Sequence, residues 1–287
     1  MICLEAGYKI TDISNALDIS RSTCYLYKNE LPANAKREKT QKQLKKEEED
    51  KIIADKIKKR QEDRPKWGYR RCWAWLWHRE DIRVNKKRIY RIMKEHNLLQ
   101  TKKKHFACRT PQKSKPRPSK KNEWWGTDMT KVLVQGVGWL YFVVVIDWHT
   151  KKIIGYKIDL RSRSAEWEEA LEMAVNNECP NGSREYNVHL MSDNGSQPTS
   201  RSYMNTCGTL GIEQAFTSYN NPKGNADTER VFRTFKEDCA WLYEWESFAE
   251  AKTAIENWIF EYNNFYVHSS LGYISPVEFE QSLIQSA

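Results

Sequence analysis

The spacing of apolar residues changes near residue 122 and divides the chain into two parts. Before that point, apolar residues recur at helical intervals, as at Ile89, Ile92 and Met93. After it, three runs are rich in the β-branched and aromatic residues typical of strands: Lys131–Val134, Trp139–Ile146 and Ile153–Ile158. The pattern therefore predicts all-helical modules in front and a domain built on a sheet behind.

Residues 1–35 are predicted to form a helix-turn-helix-like segment. Thr11 begins one short helix, and Ser20 or Ser22 caps a second helix after a tight polar turn. A small helical hairpin of any other kind explains this pattern equally well. Residues 36–60 follow with many charges and few apolar positions, so we expect a charged linker or a solvated helix there.

Residues 61–100 are predicted to form a second helix-turn-helix-like module, one that binds DNA. A first helix lies near Tyr69–Arg79, and Asn85 caps a second helix that carries lysines and arginines beside its apolar stripe. Such a density of cations on one helix favours DNA contact over a merely solvated face. Residues 101–121 contain nine lysines and arginines, no acid and three prolines, which predicts an extended basic linker.

The predicted elements after that linker follow the order β-β-β-α-β-α-β-α, which indicates an α/β domain with a mixed five-stranded sheet over residues 122–246. Beyond the three strands, the predicted elements are a helix that Ser164 caps and that ends at Asn176, a strand over Tyr186–Met191, a helix over Ser200–Leu210, a strand over Gly211–Thr217, and helices over Val231–Trp245 and Phe248–Phe265. Residues 247–287 form a helical tail. The tryptophans, Trp139 and Trp241 among them, are expected to pack in the core or against a partner subunit.

Charge is divided at the same place. Residues 1–121 hold 34 lysines and arginines against 15 aspartates and glutamates, whereas residues 122–287 hold 13 against 23. A basic segment suits a phosphate-binding module, because each neutralised phosphate releases condensed counterions. The acidic part must bind its substrate by other means, and bound cations are the obvious candidates.

Composition excludes several protein classes. No run reaches the roughly 18 apolar residues of a membrane helix, and the first residues lack the basic start and long apolar run of a signal peptide. We therefore expect a cytoplasmic protein with no membrane partner. Seven cysteines without a Cys-x-x-Cys pair argue against a disulfide framework and against a cysteine-rich zinc module.

Three carboxylates lie on a strand, at the end of a strand and at the start of a helix in the predicted α/β domain. Asp128 lies on or beside the first strand, Asp193 directly follows the fourth, and Glu229 falls in the first turn of the next helix. Acids at such positions are candidates to converge and to hold magnesium, which prefers hard oxygen ligands. Helix-capping or surface acids are the alternative. Another acid, Asp147 at the end of the second strand, is assigned either to the structure or to the groups that support the metal ligands.

Several short motifs carry a resemblance to a known family. They are Trp67-Gly68-Tyr69-Arg70-Arg71, Val84-Asn85-Lys86-Lys87-Arg88-Ile89-Tyr90, Thr127-Asp128-Met129-Thr130, Ser192-Asp193-Asn194-Gly195-Ser196-Gln197, Gly224-Asn225-Ala226, Tyr262-Asn263 and His268-Ser269-Ser270-Leu271-Gly272-Tyr273. In this order and spacing, the chain resembles the second-frame transposase of the insertion-sequence-three family. Residues 122–230 resemble the ribonuclease-H-like catalytic core of retroviral integrases. The chain departs from the family pattern at Pro198, where an aromatic residue is usual, and at Tyr266-Val267, where Arg-Pro is usual.

The resemblance implies a ribonuclease-H-like fold and a metal-dependent DNA transposase. Asp128 would bridge two Mg²⁺ ions, Asp193 would hold one and Glu229 the other, with Mn²⁺ as a substitute. Water would be the nucleophile for end cleavage and the freed 3′-hydroxyl for strand transfer, on the terminal inverted repeats and the target DNA. A homo-oligomer in the bacterial cell, associated with the nucleoid, is also implied. The end sequence, and whether an upstream-frame protein takes part, stay open.

The predicted DNA contacts come from both helices of the module over residues 61–100 and from the helix that carries Glu229. Arg233 and Lys236 follow Glu229 by four and seven residues, on the same helical face, although a solvated face explains either one equally well. The full set is Arg70, Arg71, Lys86, Lys87, Arg88, Arg91, Arg233 and Lys236. Two other functions stay open: a catalytically inactive, transposase-derived protein that binds the repeats, and a ribonuclease-H-like nuclease that cuts RNA–DNA hybrids.

Overall fold

The computed structural model describes residues 7–28, 41–100, 116–217 and 224–285. The chain divides into two compact units, residues 1–53 and 54–287. The first unit contains α1 (Ile10–Leu17), α2 (Arg21–Lys28) and the beginning of α3 (Gln41–Asp63). Ser20 Oγ accepts a hydrogen bond from the backbone N–H of Thr23 at 3.2 Å, which confirms the predicted cap of the second helix. The predicted linker is helical from Gln41 onward, and its residues 36–40 lie outside the described ranges.

The second unit includes the helical module. α4 (Tyr69–Arg79) spans the predicted range, and α5 (Lys86–Glu95) begins after Asn85, whose side chain accepts a hydrogen bond from the backbone N–H of Lys87 at 2.8 Å. The apolar stripe of α5 is buried, as its spacing predicts. Of the predicted basic linker, residues 101–115 lie outside the described part of the chain.

A five-stranded sheet of mixed direction forms the centre of the second unit. Its strands are β1 (Trp124–Val134), β2 (Gly138–Asp147), β3 (Ile153–Asp159), β4 (His189–Ser192) and β5 (Glu213–Phe216). They lie in the order β3-β2-β1-β4-β5, with β1 antiparallel to β2 and parallel to β4. The predicted α/β fold with its ribonuclease-H-like sheet is therefore confirmed. β1 begins at Trp124 rather than at the predicted Lys131, because its first residues pair with both β2 and β4.

The main helices that accompany the sheet in the described ranges are α6 (Ser164–Glu178), α7 (Arg201–Leu210), α8 (Ala226–Phe235), α9 (Phe248–Asn264) and α10 (Pro276–Gln285). The predicted cap of α6 is wrong by one residue: the N-cap is Arg163, whose backbone N–H donates to Glu166 Oε2 at 2.6 Å. The predicted helix over Val231–Trp245 is too long, because α8 ends in a π-helical turn over Lys236–Ala240. No helix in these ranges is long and apolar enough to span a membrane.

Helices cover both faces of the sheet. On one face, α6 packs through a buried cluster that includes Trp125, Val143, Val145, Trp167 and Leu171. On the other face, the ring of Phe142 lies 5.1 to 6.5 Å, centroid to centroid, from the rings of Phe232, Phe235 and Trp258. Interiors packed this densely resist displacement. The two apolar layers therefore hold the central strands in fixed register and give the strand ends fixed positions.

The helical module docks on the C-terminal tail within the second unit. Arg79, at the end of α4, donates to both carboxylate oxygens of Glu278 on α10, at 2.5 and 2.7 Å. The rings of Trp73 and Tyr273 meet edge to face, with centroids 5.9 Å apart. A bidentate arginine–carboxylate pair fixes orientation as well as contact. Module and tail are therefore held in a defined mutual orientation.

Tyr266 is buried where the module meets the tail. Its ring stacks on Tyr262 with centroids 5.3 Å apart, meets Trp67 edge to face at 6.2 Å, and lies beneath the guanidinium of Arg71 at 5.1 Å. The departure from the family pattern at this position therefore contributes an aromatic ring to the docking contact.

Candidate active site

Asp128 and Asp193 lie at matching positions on two neighbouring parallel strands. β1 and β4 pair from Trp124 with His189 to Gly126 with Met191, a constant offset of 65 residues. Asp128 and Asp193 differ by the same offset and come two residues after the last of these pairs. Because paired strands lie about 5 Å apart, this register places the backbones of the two aspartates side by side, at the point where β4 ends.

A chain of hydrogen bonds fastens the start of α8 to β1 beside the first of these acids. Asn225 donates from Nδ2 to the carbonyl oxygen of Thr127 at 3.0 Å, and Thr228 donates to Asn225 Oδ1 at 2.6 Å. Trp148 completes the chain by donating from Nε1 to Thr228 Oγ1 at 3.4 Å. Glu229 is the next residue along α8. The network therefore fixes the backbone of Glu229 relative to β1.

Gly126 permits this close approach of helix and strand. A Cβ at this position would lie 2.2 Å from Trp148 Nε1 and 2.3 Å from Thr228 Oγ1. A side chain fits there only if the indole of Trp148 and Thr228 on α8 both move away. Sequence patterns do not single out Gly126 or Thr228, because both positions derive their role from a contact between elements that are distant in the chain.

The three carboxylates share one electrostatic environment. The pKa of Asp128 is raised to about 7, first by burial and then by the negative charges of Asp193 and Glu229. The backbone N–H of Met129, 2.7 Å from Asp128 Oδ1, and the ammonium of Lys236 lower the same pKa. Burial also raises the pKa of Glu229. A group of acids whose negative charges repel in this way attracts a cation.

The donor set suits Mg²⁺ in kind, because carboxylate oxygens are its preferred protein ligands. Within the described residues, however, no three His, Cys, Asp or Glu side chains lie close enough together to hold a metal ion. Asp193 Oδ1 accepts a hydrogen bond from the backbone N–H of Gly195 at 3.0 Å, and the side chains of Asp193 and Glu229 are exposed. Binding one ion between these acids would therefore require side-chain rotation, which exposed carboxylates undergo readily.

Asp147, at the end of β2, has a structural role, as its position suggests. Its buried carboxylate accepts hydrogen bonds from the backbone N–H groups of Asn122, His149 and Thr150 at 2.7 to 2.8 Å. These bonds close the turn between β2 and β3 and occupy both carboxylate oxygens. Asp147 is therefore not a candidate ligand.

Some of the predicted DNA contacts are engaged within the chain. Arg71 is half-buried above an aromatic ring of the tail, and the ammonium of Lys86 lies 4.1 Å from the centre of the Trp73 ring. Arg233 pairs with Glu237 at 3.0 Å. Arg91 also pairs with Glu95, at 3.3 Å. Arg70, Lys87 and Arg91 are exposed, and Arg88 and Lys236 are half-buried. Which of these residues touch DNA stays a prediction.

Comparison with known proteins places this site in a wider context. Two family models described as integrase core domains match residues 118–222 and 210–276, and a model described as an HTH-like domain matches residues 47–106. The InsK protein of insertion sequence element IS150 from Escherichia coli strain K12 is 30% identical over 291 aligned residues, which cover 96% of this chain and 95% of that protein. The transposase for insertion sequence element IS904 from Lactococcus lactis subsp. lactis is 29% identical, over 80% of this chain and 94% of its own length. The catalytic core domain of BIV integrase aligns with 57% of this chain and 98% of its own, at 18% identity and a TM-score of 0.40.

Proposed function

Because the chain belongs to the insertion-sequence-three family of transposases and carries an integrase core domain, we propose that Asp128, Asp193 and Glu229 are its catalytic triad. The observation that carries this proposal is geometric: the register of β1 with β4 brings Asp128 and Asp193 side by side, and Asn225 anchors the start of α8, which carries Glu229, to β1. The charges of Asp193 and Glu229 both raise the pKa of Asp128, which supports the same assignment. Perturbed pKa values of this kind are concentrated at functional sites.

In this proposal the protein cleaves DNA at the ends of its element with water as the nucleophile. The freed 3′-hydroxyl then attacks a phosphodiester of the target DNA, so that a new phosphodiester bond forms and the 3′-oxygen of the target strand leaves as a hydroxyl. Two Mg²⁺ ions, or Mn²⁺ in their place, would be held by the three carboxylates and would neutralise charge on the phosphate and on both reacting oxygens. Asp128 must be ionised to act as a ligand, which its pKa of about 7 permits at neutral and alkaline pH. The half-buried Lys236 adds positive charge to the same neighbourhood.

We further propose that the helical module and the basic linker hold the DNA while the core reacts. Lys87 and Arg91 on α5, together with Arg70 on α4, are exposed cations on the HTH-like domain. Cations of this kind bind phosphates and position a duplex without reading its sequence. Joining two element ends to one target requires at least two active sites, so we expect a homo-oligomer on DNA in the bacterial cytoplasm.

A strand-transfer assay tests the proposed function. The substrate is a duplex that mimics one end of the element, incubated with target DNA and Mg²⁺, and the readout is joined product on a denaturing gel. Wild type should give product, and Asp193→Asn should reduce it at least about a thousandfold while binding the same duplex. Asn225→Ala, which removes the anchor of α8 but no carboxylate, should give an intermediate loss.

The other two functions correspond to distinct results of the same assay. Equal binding by wild type and Asp193→Asn, with no cleavage by either at any end sequence tested, would assign the chain to the repeat-binding proteins. Cleavage confined to the RNA strand of an RNA–DNA hybrid would make it a ribonuclease-H-like nuclease.

A further inference from the structure

An exposed aromatic surface lies on the hairpin of β1 and β2, beside the candidate active site. Its side chains face each other across the two strands: Lys131 is opposite Tyr141, and Leu133 is opposite Trp139. Leu133 is 65% exposed and Trp139 47% exposed, so Trp139 does not pack in the core. Residues opposite each other on one face of a sheet are in contact. These side chains therefore form one continuous patch.

Two further rings extend this patch. Trp241 and Tyr243 follow the π-helical turn after α8 and are 67% and 58% exposed. They line one groove together with Lys131, Leu133 and Trp139. We call the patch and these two rings the hairpin surface. Large apolar groups gathered on a surface mark an interaction site, because a monomer has no other use for their exposure.

Positive charge accompanies the rings and connects them to the site. The Lys131 ammonium lies 4.5 Å from the centre of the Trp139 ring, and Lys236 lines the same groove, where Glu244 is the acidic member. Lys131 also lines a neighbouring groove with Arg161 and Met129, the residue after Asp128. Lysine is depleted at protein–protein interfaces, whereas rings interleaved with cations are typical of surfaces that bind unpaired nucleic acid. The hairpin surface therefore fits a polyanion better than a second copy of the chain.

We propose that the hairpin surface binds unpaired nucleotides of the DNA strand that flanks the reacting phosphodiester. Bases would stack on the exposed rings, and Lys131 would pair with the backbone, an arrangement that tolerates any sequence. Leu133 follows Asp128 by five residues of strand, or about 17 Å at ~3.4 Å per residue, and a stacked strand covers this distance with about five nucleotides. The inference rests on the proposed function only for the position of the reacting phosphodiester.

DNA binding without catalysis tests this inference. Full-length protein carrying Asp193→Asn is titrated in EDTA against a labelled end-mimicking duplex, either blunt or with a five-nucleotide single-stranded extension of either polarity. One of the two extensions should tighten binding by about tenfold or more, as expected from one or two stacked bases. Trp139→Ala and Trp241→Ala should each reduce that gain by about fivefold and leave affinity for the blunt duplex unchanged. Phe260→Ala, which removes an exposed ring from α9 that lines neither groove, is the matched control and should change neither affinity.

Salt dependence supplies a second readout. Lys131→Met should lower the slope of log affinity against log salt by about 0.7 for the extended duplex, the value for one phosphate contact on a single strand. The slope for the blunt duplex should not change. Circular dichroism verifies that each variant is folded, and Trp139→Phe, which keeps an aromatic ring, should retain most of the gain.

Three results would overturn the inference. The first is an affinity of the Asp193→Asn protein that neither single-stranded extension improves. The second is an equal weakening of blunt and extended duplexes by the tryptophan variants. The third is a gain that survives in those variants while light scattering shows a loss of oligomer, since the surface would then bind a second copy. Strand transfer with Mg²⁺ is measured separately: joining without an affinity gain refutes this inference alone, and a gain without joining refutes the catalytic proposal alone.

Discussion

Replacing Gly126 with alanine tests whether α8 must lie against β1 for the candidate site to work. The added methyl group would lie 2.2 Å from Trp148 Nε1 and 2.3 Å from Thr228 Oγ1. Ordinary contacts of carbon begin near 3.5 Å, so the gap must open by roughly 1 Å. The strand cannot yield, because Gly126 is paired with β2 on one side and β4 on the other. We therefore expect the indole of Trp148 and the start of α8 to move, and α8 to carry Glu229 with it.

The displacement of α8 should affect both the stability of the protein and the rate of strand transfer. Forcing a methyl group into a packed contact costs about 1–3 kcal/mol of unfolding free energy. A catalytic group misplaced by about 1 Å costs on the order of a hundredfold in rate. The expected result for Gly126→Ala is therefore a modest loss of stability, measured by urea unfolding, and a loss of about a hundredfold in strand transfer with Mg²⁺, measured well below the unfolding temperature.

Two other glycines separate these effects. A Cβ at Gly155 would lie 2.2 Å from the carbonyl oxygen of Ala170 and 2.7 Å from the backbone nitrogen of Ala174, in a contact between β3 and α6. Gly155→Ala should therefore lose a similar amount of stability but retain strand transfer. Gly208 lies on α7 with no atom within 4 Å of the added Cβ, so Gly208→Ala should be neutral or stabilising by up to about 1 kcal/mol.

Strand transfer at the wild-type rate by folded Gly126→Ala would refute the reasoning, because the position of α8 would then not matter for the chemistry. Equal losses of activity in Gly126→Ala and Gly155→Ala would assign the effect to general destabilisation.

Three further predictions concern docking and ionisation. Arg79→Met removes both hydrogen bonds to Glu278 and should lower the free energy of unfolding in urea by about 1–3 kcal/mol. Lys252→Met, which loses one exposed ion pair at 4.0 Å, should lower it by less than about 0.5 kcal/mol. Equal losses in the two variants would contradict a stabilising contact between module and tail. Burial, and after it the positive charge of nearby cations, lowers the pKa of His268 to about 4. Below about pH 6.5 the imidazole therefore binds a proton in the unfolded chain but not in the folded protein. The free energy of unfolding should be highest above pH 6.5 and about 2 kcal/mol lower at pH 5. His268→Gln should abolish this part of the difference between unfolding curves at pH 7.5 and pH 5, and an unchanged difference would show that the imidazole is solvated. Burial and the neighbouring acids raise the pKa of Asp128 to about 7. Mg²⁺ should therefore raise the Tm more at pH 8 than at pH 6, where the protonated carboxyl does not bind metal. Asp128→Asn should show little Mg²⁺ effect at either pH, and a wild-type response from this variant would remove Asp128 from the ligand set.

The predicted fold is confirmed wherever one periodicity runs through a whole element. The buried stripe of α5 and the runs of β-branched and aromatic residues in β2 and β3 are local properties, so the residues themselves specify them. The start of β1 at Trp124 depends on pairing with β4, which lies more than sixty residues later. The end of α8 depends on a π-helical turn that apolar spacing does not reveal. The errors therefore lie where distant parts of the chain meet or where the hydrogen-bond pattern of a helix changes.

In the candidate site, too, residues with local signals could be predicted and contacts between distant parts of the chain could not. Asp128, Asp193 and Glu229 were accessible to sequence reasoning because acids at the ends of elements are local signals, and the family motifs surround them. Asn225 belongs to one of the family motifs, but its contact with β1 and the role of Thr228 could not be predicted, because that contact joins α8 to a strand about a hundred residues earlier. Exposure of tryptophans is equally nonlocal. A ring at a strand position is buried or exposed according to which helix covers that part of the sheet.

The contact between module and tail sets a time order for synthesis of the protein. Arg79 and Glu278 are 199 residues apart in the chain. A ribosome that adds about 5–20 residues per second needs roughly 10–40 s to travel from one to the other. Throughout that interval α4 has been made but its partner has not, so its guanidinium group and aromatic rings face solvent or whatever else is near the ribosome. The contact between module and tail is therefore among the last tertiary contacts to form. A chain whose translation stops before residue 278 contains the module but lacks the Glu278 carboxylate that pairs with Arg79.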